Sequence, residues 1–324
     1  MSFRLTLFAF ACYLPFLAYA DQANDAAGWL GRIAAAAQKL SYTGTFVYHS
    51  GPHSETSRIT HIVDARGERE RLEVLDGSPR EVVRTNDEVK CFLPDQRVVI
   101  VEHPAVRKAF PARLSASLSG VTENYQIRKG DISRVADRES QLLILEPRDN
   151  LRYGHMLWAD LNSGLLLKAR MVNEKNEPIE QFYFTSLQIG GAIDKEFIKS
   201  KLSSKASDWK VHNAKAIELN VENTAWVFRT QPTGFKRSAG TLRQLRPGAP
   251  EVVHVVFSDG LAAISVFIEP IAGASERPRQ GIFAAGAINV YKRILGDHLL
   301  TILGEVPPQT LKVLGDGIEP LSKR

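Results

Sequence analysis

The side chains able to do chemistry are few and scattered. Eight histidines stand at His49, His53, His61, His103, His155, His212, His254 and His298. His49 and His53 flank an expected turn and could meet His61 across a hairpin, which would gather three nitrogens for a metal. No carboxylate stands at a spacing that would orient those rings, and strand-edge imidazoles otherwise remain solvated bases. No metal site and no cofactor is therefore expected. The sequence contains no G-x-S-x-G elbow, phosphate-binding loop, H-E-x-x-H pair or dinucleotide glycine pattern. A hydrolase needs a nucleophile beside a base, and no motif supplies one, so the chain is not expected to be an enzyme.

Arginines offer a different chemistry. Glu146-Pro147-Arg148-Asp149 and Arg152-Tyr153 form a charged cluster at a strand boundary. Arg148 and Arg152 could present guanidinium forks to a phosphate or carboxylate, or pair with Asp149 or Glu146 to fix a turn. Arg66, Arg69, Arg71, Arg80 and Arg84 decorate neighbouring strands, where alternation also puts charges outward. Phe46, Tyr48, Trp158, Phe182 and Phe184 are expected on the inside of one sheet, as core or as the wall of a cavity fit for an acyl chain.

The elements that must hold these residues are mostly strands. The chain has 324 residues, 44% hydrophobic and 24% charged, with net charge +5. That composition excludes disordered, collagen-like and multi-span classes, and the charge falls short of a nucleic-acid binder's dense patch. Residues 1–20 have the pattern of a cleaved signal peptide: Arg4, an apolar run from Leu5 to Leu17, then Ala18-Tyr19-Ala20. An uncleaved anchor is the alternative. Cleavage leaves Cys91 as the one cysteine, unable to form an internal disulfide. It is either buried and inert, or a reactive or intermolecular thiol.

Asp25 to Leu40 has a helical apolar stripe, with Asp25 as its cap. Alternating segments from Thr45 to Thr185 follow, punctuated by turns such as Asn162-Ser163-Gly164. A short helix or loop interrupts them at Pro111–Gly120. About ten closely spaced strands predict a curved antiparallel sheet, and the helix could lie across its concave face. Parallel α/β architecture is not expected, because no crossover helices alternate with the strands. A Lys-, Ser- and Ala-rich run at 201–215 reads as an interdomain linker. A smaller β domain occupies 216–324, with a last helix at Pro307–Leu314. Residues 201–324 carry 16 Lys and Arg against 11 Asp and Glu, whereas residues 21–200 carry 24 against 25. The basic excess thus belongs to the second domain, either as solvated surface or as attraction toward an acidic partner or anionic lipid.

Several segments together resemble one family. They include Thr43-Gly44-Thr45-Phe46-Val47-Tyr48, Arg69-Glu70-Arg71-Leu72, Pro147-Arg148-Asp149 with Arg152-Tyr153-Gly154, and Phe182-Tyr183-Phe184-Thr185. In the second domain they include Ser258-Asp259-Gly260-Leu261, Ser265-Val266-Phe267-Ile268-Glu269-Pro270 and Val290-Tyr291. The chain resembles the periplasmic sigma-E factor regulators of the RseB/MucB family. Thr233 departs from that pattern, standing where a second proline is typical.

The resemblance implies a mainly β (α+β) fold. The N-terminal domain at 21–200 would be an unclosed antiparallel β-barrel of the lipoprotein-carrier type with covering helices, followed by a smaller C-terminal antiparallel β domain. It implies a periplasmic negative regulator that binds the periplasmic domain of a membrane anti-sigma factor and protects it from site-1 proteolysis. Lipopolysaccharide or another lipid would release it. A periplasmic lipoprotein or lipid carrier is the alternative. No nucleic acid is expected as a partner, and self-association into a homo-oligomer is left open. Charge, aromaticity and motif position select Arg80, Arg84, Arg148, Arg152, Tyr153, Phe267 and Tyr291 as the partner- or lipid-contacting residues.

Overall fold

The structure, a computed structural model, describes residues 17–103, 119–214, 216–219, 225–244, 249–271 and 278–321. Most of the expected signal peptide, and residues 111–118 of the expected helix or loop, lie outside these residues. Helix α1 (Leu17–Lys39) opens the described chain. Twelve strands of one sheet follow: β1 (Tyr42–Ser50), β2 (His53–Asp64), β3 (Gly67–Val74), β4 (Glu81–Thr85), β5 (Glu88–Leu93), β6 (Val98–Glu102), β7 (Tyr125–Val135), β8 (Arg138–Pro147), β9 (Gly154–Asp160), β10 (Leu166–Val172), β11 (Pro178–Ile189) and β12 (Lys210–Ala214). A short helix, α2 (Ser119–Asn124), precedes β7. Then come β13 (Ala216–Glu218), β14 (Trp226–Phe228), β15 (Lys236–Gln244), β16 (Glu251–Ser258), β17 (Ala263–Pro270), β18 (Gly281–Ala285), β19 (Ile288–Leu295), β20 (His298–Gly304), α3 (Pro308–Asp316) and β21 (Ile318–Pro320).

Among the described residues the first sheet runs β12-β6-β5-β4-β3-β2-β1-β11-β10-β9-β8-β7 and does not close. It is antiparallel except for β12, which adds in parallel to β6. The expected unclosed half-barrel is present. Trp29, Leu30, Ile33, Ala36 and Ala37 of α1 pack into its inside against Phe46, Leu143, Leu157, Phe182 and Phe184. The three phenylalanines meet edge to face at 5.9–6.4 Å, a geometry that adds to burial. Two sequence expectations change. Among the described residues the helix already runs from Leu17, and Leu17 to Asp25 contains no breaker, so Asp25 lies within it and pairs with Lys129 at 2.6 Å. Trp158 faces outward: Leu157 and Ala159 take the inside positions, and strand alternation turns the residue between them away.

The second sheet runs β13-β15-β16-β17-β20-β19-β18, with β14 and β21 paired beside it. Helix α3 covers one face, burying Leu311 and Leu314 against Val255, Val266, Ile268, Leu300 and Ile302. Gly315 lies inside this helix, not after it; an added Cβ would press on the Tyr291 ring at 2.8 Å.

Residues 195–209 fold back across the outside of β3–β6. Leu202, Ala206 and Trp209 cover Phe92, Val99 and Val101. Buried Glu81 fixes this strap: it pairs with Arg71 and accepts from Ser200 Oγ and the Lys201 and Leu202 amides, each at 3.2 Å. A single residue then separates β12 of the first sheet from β13 of the second.

Candidate functional site: the junction between the sheets

The β8–β9 loop carries the charged cluster. Asp149 Oδ1 caps the Leu151 amide at 3.0 Å, an Asx turn that tightens the loop. Arg152 then points into the second domain. Its Nε and Nη2 donate to Asp149 at 3.0 and 3.1 Å, its Nη1 to Asp259 Oδ2 at 2.8 Å, and its Nη2 to the Thr233 carbonyl at 2.5 Å. The guanidinium lies 5.0 Å from the Phe235 ring centre. Asp259 occupies the β16–β17 turn, where its Oδ1 accepts from the Leu261 and Ala262 amides at 2.9 and 2.7 Å. Its Oδ2 also receives Tyr125 Oη at 3.2 Å. Burial, and secondarily the Asp259 charge, push the Tyr125 phenol well above its ordinary range. Arg152 and Asp259 side chains are both 0% exposed. Two buried charges are tolerable only because nearly every donor and lone pair is matched.

Neighbouring bonds extend the clamp. Thr310 Oγ1 donates to the Leu151 carbonyl at 2.8 Å and Gln309 Nε2 to that of Asn150 at 2.7 Å. Asn289 Nδ2 donates to Tyr153 Oη at 3.1 Å. Tyr153 also packs with Met171 and Ala287. Gly234 has φ +81°, and an added Cβ would overlap the Asn124 side-chain amide, which itself donates to the Gly234 carbonyl.

Of the seven residues selected from sequence, the structure gathers only Arg152 and Tyr153 here, where their polar atoms hold the domains together. Arg148 is exposed at the rim of the same loop. Arg80 is exposed and meets both oxygens of Glu55 at 3.1 Å. Arg84 is half-buried, opposite buried Glu70 on β3. Phe267 and Tyr291 lie on opposite faces of the second sheet. Phe267 stacks on His254 at 4.2 Å, while Tyr291 donates to Asp316 at 2.7 Å beside α3. Sequence reasoning missed Asp259, Tyr125 and Asn289. For Asp259 the available signal was the Ser258-Asp259-Gly260 turn. His49 and His53 stand at the β1–β2 tip, whereas His61 pairs across from Tyr42 at the other end of the hairpin, so the three histidines do not meet.

A second feature is an apolar row on the inner face of the first sheet. Ile59, Leu72, Val82, Cys91 and Ile100 are successive cross-strand neighbours. Ile59 belongs to the core under α1, but Val82, Cys91 and Ile100 lie outside that cluster and are half-exposed. Burial raises the Cys91 thiol above its ordinary value, which favours the protonated form at neutral pH. Arg80 and Arg84 flank this row from the same strand region. The arrangement can take an apolar chain along the wall and an anionic group at either rim.

Comparison with known proteins places this geometry in a lineage. The model of the MucB/RseB N-terminal domain matches residues 25–202, and that of the MucB/RseB C-terminal domain matches residues 220–319. The sigma factor AlgU regulatory protein MucB of Pseudomonas aeruginosa is 35% identical over 308 residues, 93% of each chain. The sigma-E factor regulatory protein RseB of Salmonella typhimurium is 27% identical over 323 residues, covering 98% of this chain and 97% of its own. The crystal structure of MucB in complex with MucA(peri) matches with a TM-score of 0.71 and 31% identity, over 92% of this chain and 100% of that one. A crystal structure of MucB matches with a TM-score of 0.66 and 29% identity, over 92% of this chain and 98% of that one.

Proposed function

The chain belongs to the MucB/RseB family, and from that premise we propose that it is a periplasmic binding regulator. It holds the periplasmic domain of a membrane anti-sigma factor, shields it from site-1 proteolysis, and lets go when lipopolysaccharide or a related lipid binds. The observation that carries this reading is the likeness, over 92% of the chain, to MucB bound to MucA(peri). The open apolar row, with Arg80 and Arg84 at its rims, supports a lipid as the antagonist. Arg148, Phe267 and Tyr291 are the further contacts proposed.

The junction supplies a mechanism. If peptide and lipid favour different arrangements about the Arg152–Asp259 clamp, each lowers the other's affinity by the same factor. Titrating lipopolysaccharide into a purified complex of this chain with an anti-sigma periplasmic domain tests it. Loss of complex with rising lipid, and renewed cleavage by the site-1 protease, is expected. An intact complex at saturating lipid refutes the switch. The half-exposed apolar row also fits a lipoprotein or lipid carrier; affinity capture that recovers lipoproteins and no anti-sigma factor would favour that reading.

A further inference from the structure

The strap closes the outside of the half-barrel over β3–β6, but over β8–β11 and β1 no element covers it among the described residues. Two adjacent cross-strand rows meet on this open face. One contains Trp158, Lys168 and Tyr183; the other contains Met156, Arg170 and Gln181. Lys168 Nζ lies 4.5 Å and the Arg170 guanidinium 5.8 Å from the same Trp158 ring centre. Arg170 Nε donates to Gln181 at 2.8 Å, and neither cation has an acidic partner among the described residues. Glu146, further along β8, is taken by Arg128 at 2.8 Å. Burial and the neighbouring Arg170 lower the Lys168 ammonium below its ordinary value. Two like charges side by side with no counter-charge are unfavourable until an anion arrives.

We propose that this outer face docks on an anionic lipid bilayer, with Lys168 and Arg170 contacting phosphate-bearing head groups. Trp158 is only 8% exposed, so it does not insert. It holds the two cations upright while Met156 and Tyr183 meet the head-group layer, the setting in which amphipathic side chains place stem and tip in different media. The backbone here is paired within the sheet on both sides of each strand, so no peptide strand can add to it. Docking would keep the regulator beside the membrane on a face separate from the junction and the inner apolar row.

Flotation of the full mature chain with vesicles of phosphatidylcholine, with and without phosphatidylglycerol, tests this. Preference for the anionic vesicles is expected. The paired change Lys168→Gln and Arg170→Gln should weaken partition by about thirtyfold, the factor two near-surface cations contribute together. Removing the same charge from the strap with Lys195→Gln and Lys205→Gln, both exposed, should leave partition near the parent's. Gln181→Glu sets a carboxylate against Arg170 without truncating either cation and should also weaken binding, which keeps the test valid if the paired variant melts early. Equal loss in face and strap variants overturns the proposal, as does indifference to phosphatidylglycerol. Protection of Lys168 by inorganic phosphate without vesicle binding would make this a free-anion site. Binding of polyglutamate without vesicle binding would make it a peptide site. Either outcome overturns the bilayer.

Discussion

Asp259→Asn and Arg152→Met remove opposite halves of one buried pair and should not cost the same. Asn at 259 keeps its shape, and its side-chain oxygen still accepts from the Leu261 and Ala262 amides. Arg152 keeps Asp149 and the Thr233 carbonyl. The loss is one charge-assisted bond across the domains, about 2–3 kcal/mol, because the Asn amide nitrogen that takes the place of Oδ2 is itself a donor and cannot accept from Arg152 Nη1. Met at 152 instead leaves the Asp259 carboxylate, fully buried, facing only Tyr125 and two amides. An ion stranded this way costs about 3–5 kcal/mol. Asp149, with its side chain 31% exposed, recovers water and adds little. Combining the changes removes both charges, so the double variant should be no less stable than Arg152→Met alone. Urea unfolding followed by tryptophan fluorescence measures all three. Hydrogen exchange at the Thr233, Leu261 and Ala262 amides reports whether the junction has opened. Equal single losses that add in the double variant would refute the idea that the pair acts as one electrostatic unit.

Other expectations follow from the same geometry. Gly234→Ala forces a Cβ into the Asn124 amide at φ +81° and should cost at least about 1 kcal/mol, with faster exchange confined to the α2–Gly234 contact. Glu81→Ala leaves buried Arg71 with Glu73 at 3.1 Å as its remaining carboxylate and releases three donors of the strap; a loss of about 2–3 kcal/mol is expected, with early deprotection of residues 195–209 by mass-spectrometric exchange, while Glu81→Gln should lose less. His254 titrates at about 4 because burial, then the Arg243 charge, disfavours its cation. Its ordinary value is near 6.5, so the unfolded chain takes the proton first. The stability it contributes above pH 6.5 is lost as pH falls toward 4, and His254→Gln should flatten the acid limb of a stability–pH curve.

What the sequence discloses is what local periodicity can encode. Phe46, Phe182 and Phe184 read as inward-facing from alternation alone, and the Asn162–Gly164 turn joins β9 to β10 with Gly164 at φ +77°. Trp158 defeats the same rule because its neighbours Leu157 and Ala159 are apolar too, so both faces of β9 look like core. The strap escapes notice for the opposite reason. Its Lys and Ser residues carry no period, and it is held by Glu81, more than a hundred positions earlier. Arg152 and Asp259 are 107 residues apart, and no spacing pattern announces such a pair.

These long-range contacts also decide how the two domains can move. The strap ties the connection to the first sheet through Ala214, and the second sheet begins at Ala216. A long flexible linker would let the domains reorient at little energetic cost. Here rotation about a one-residue connection must break the Arg152–Asp259 clamp or peel β12 from β6. A ligand that shifts the arrangement must therefore bind the new state better by at least that amount. The basic excess of residues 201–324 can then act as steering toward an acidic or anionic partner, while the cost of rearranging the domains is governed by a fully buried pair that salt barely screens.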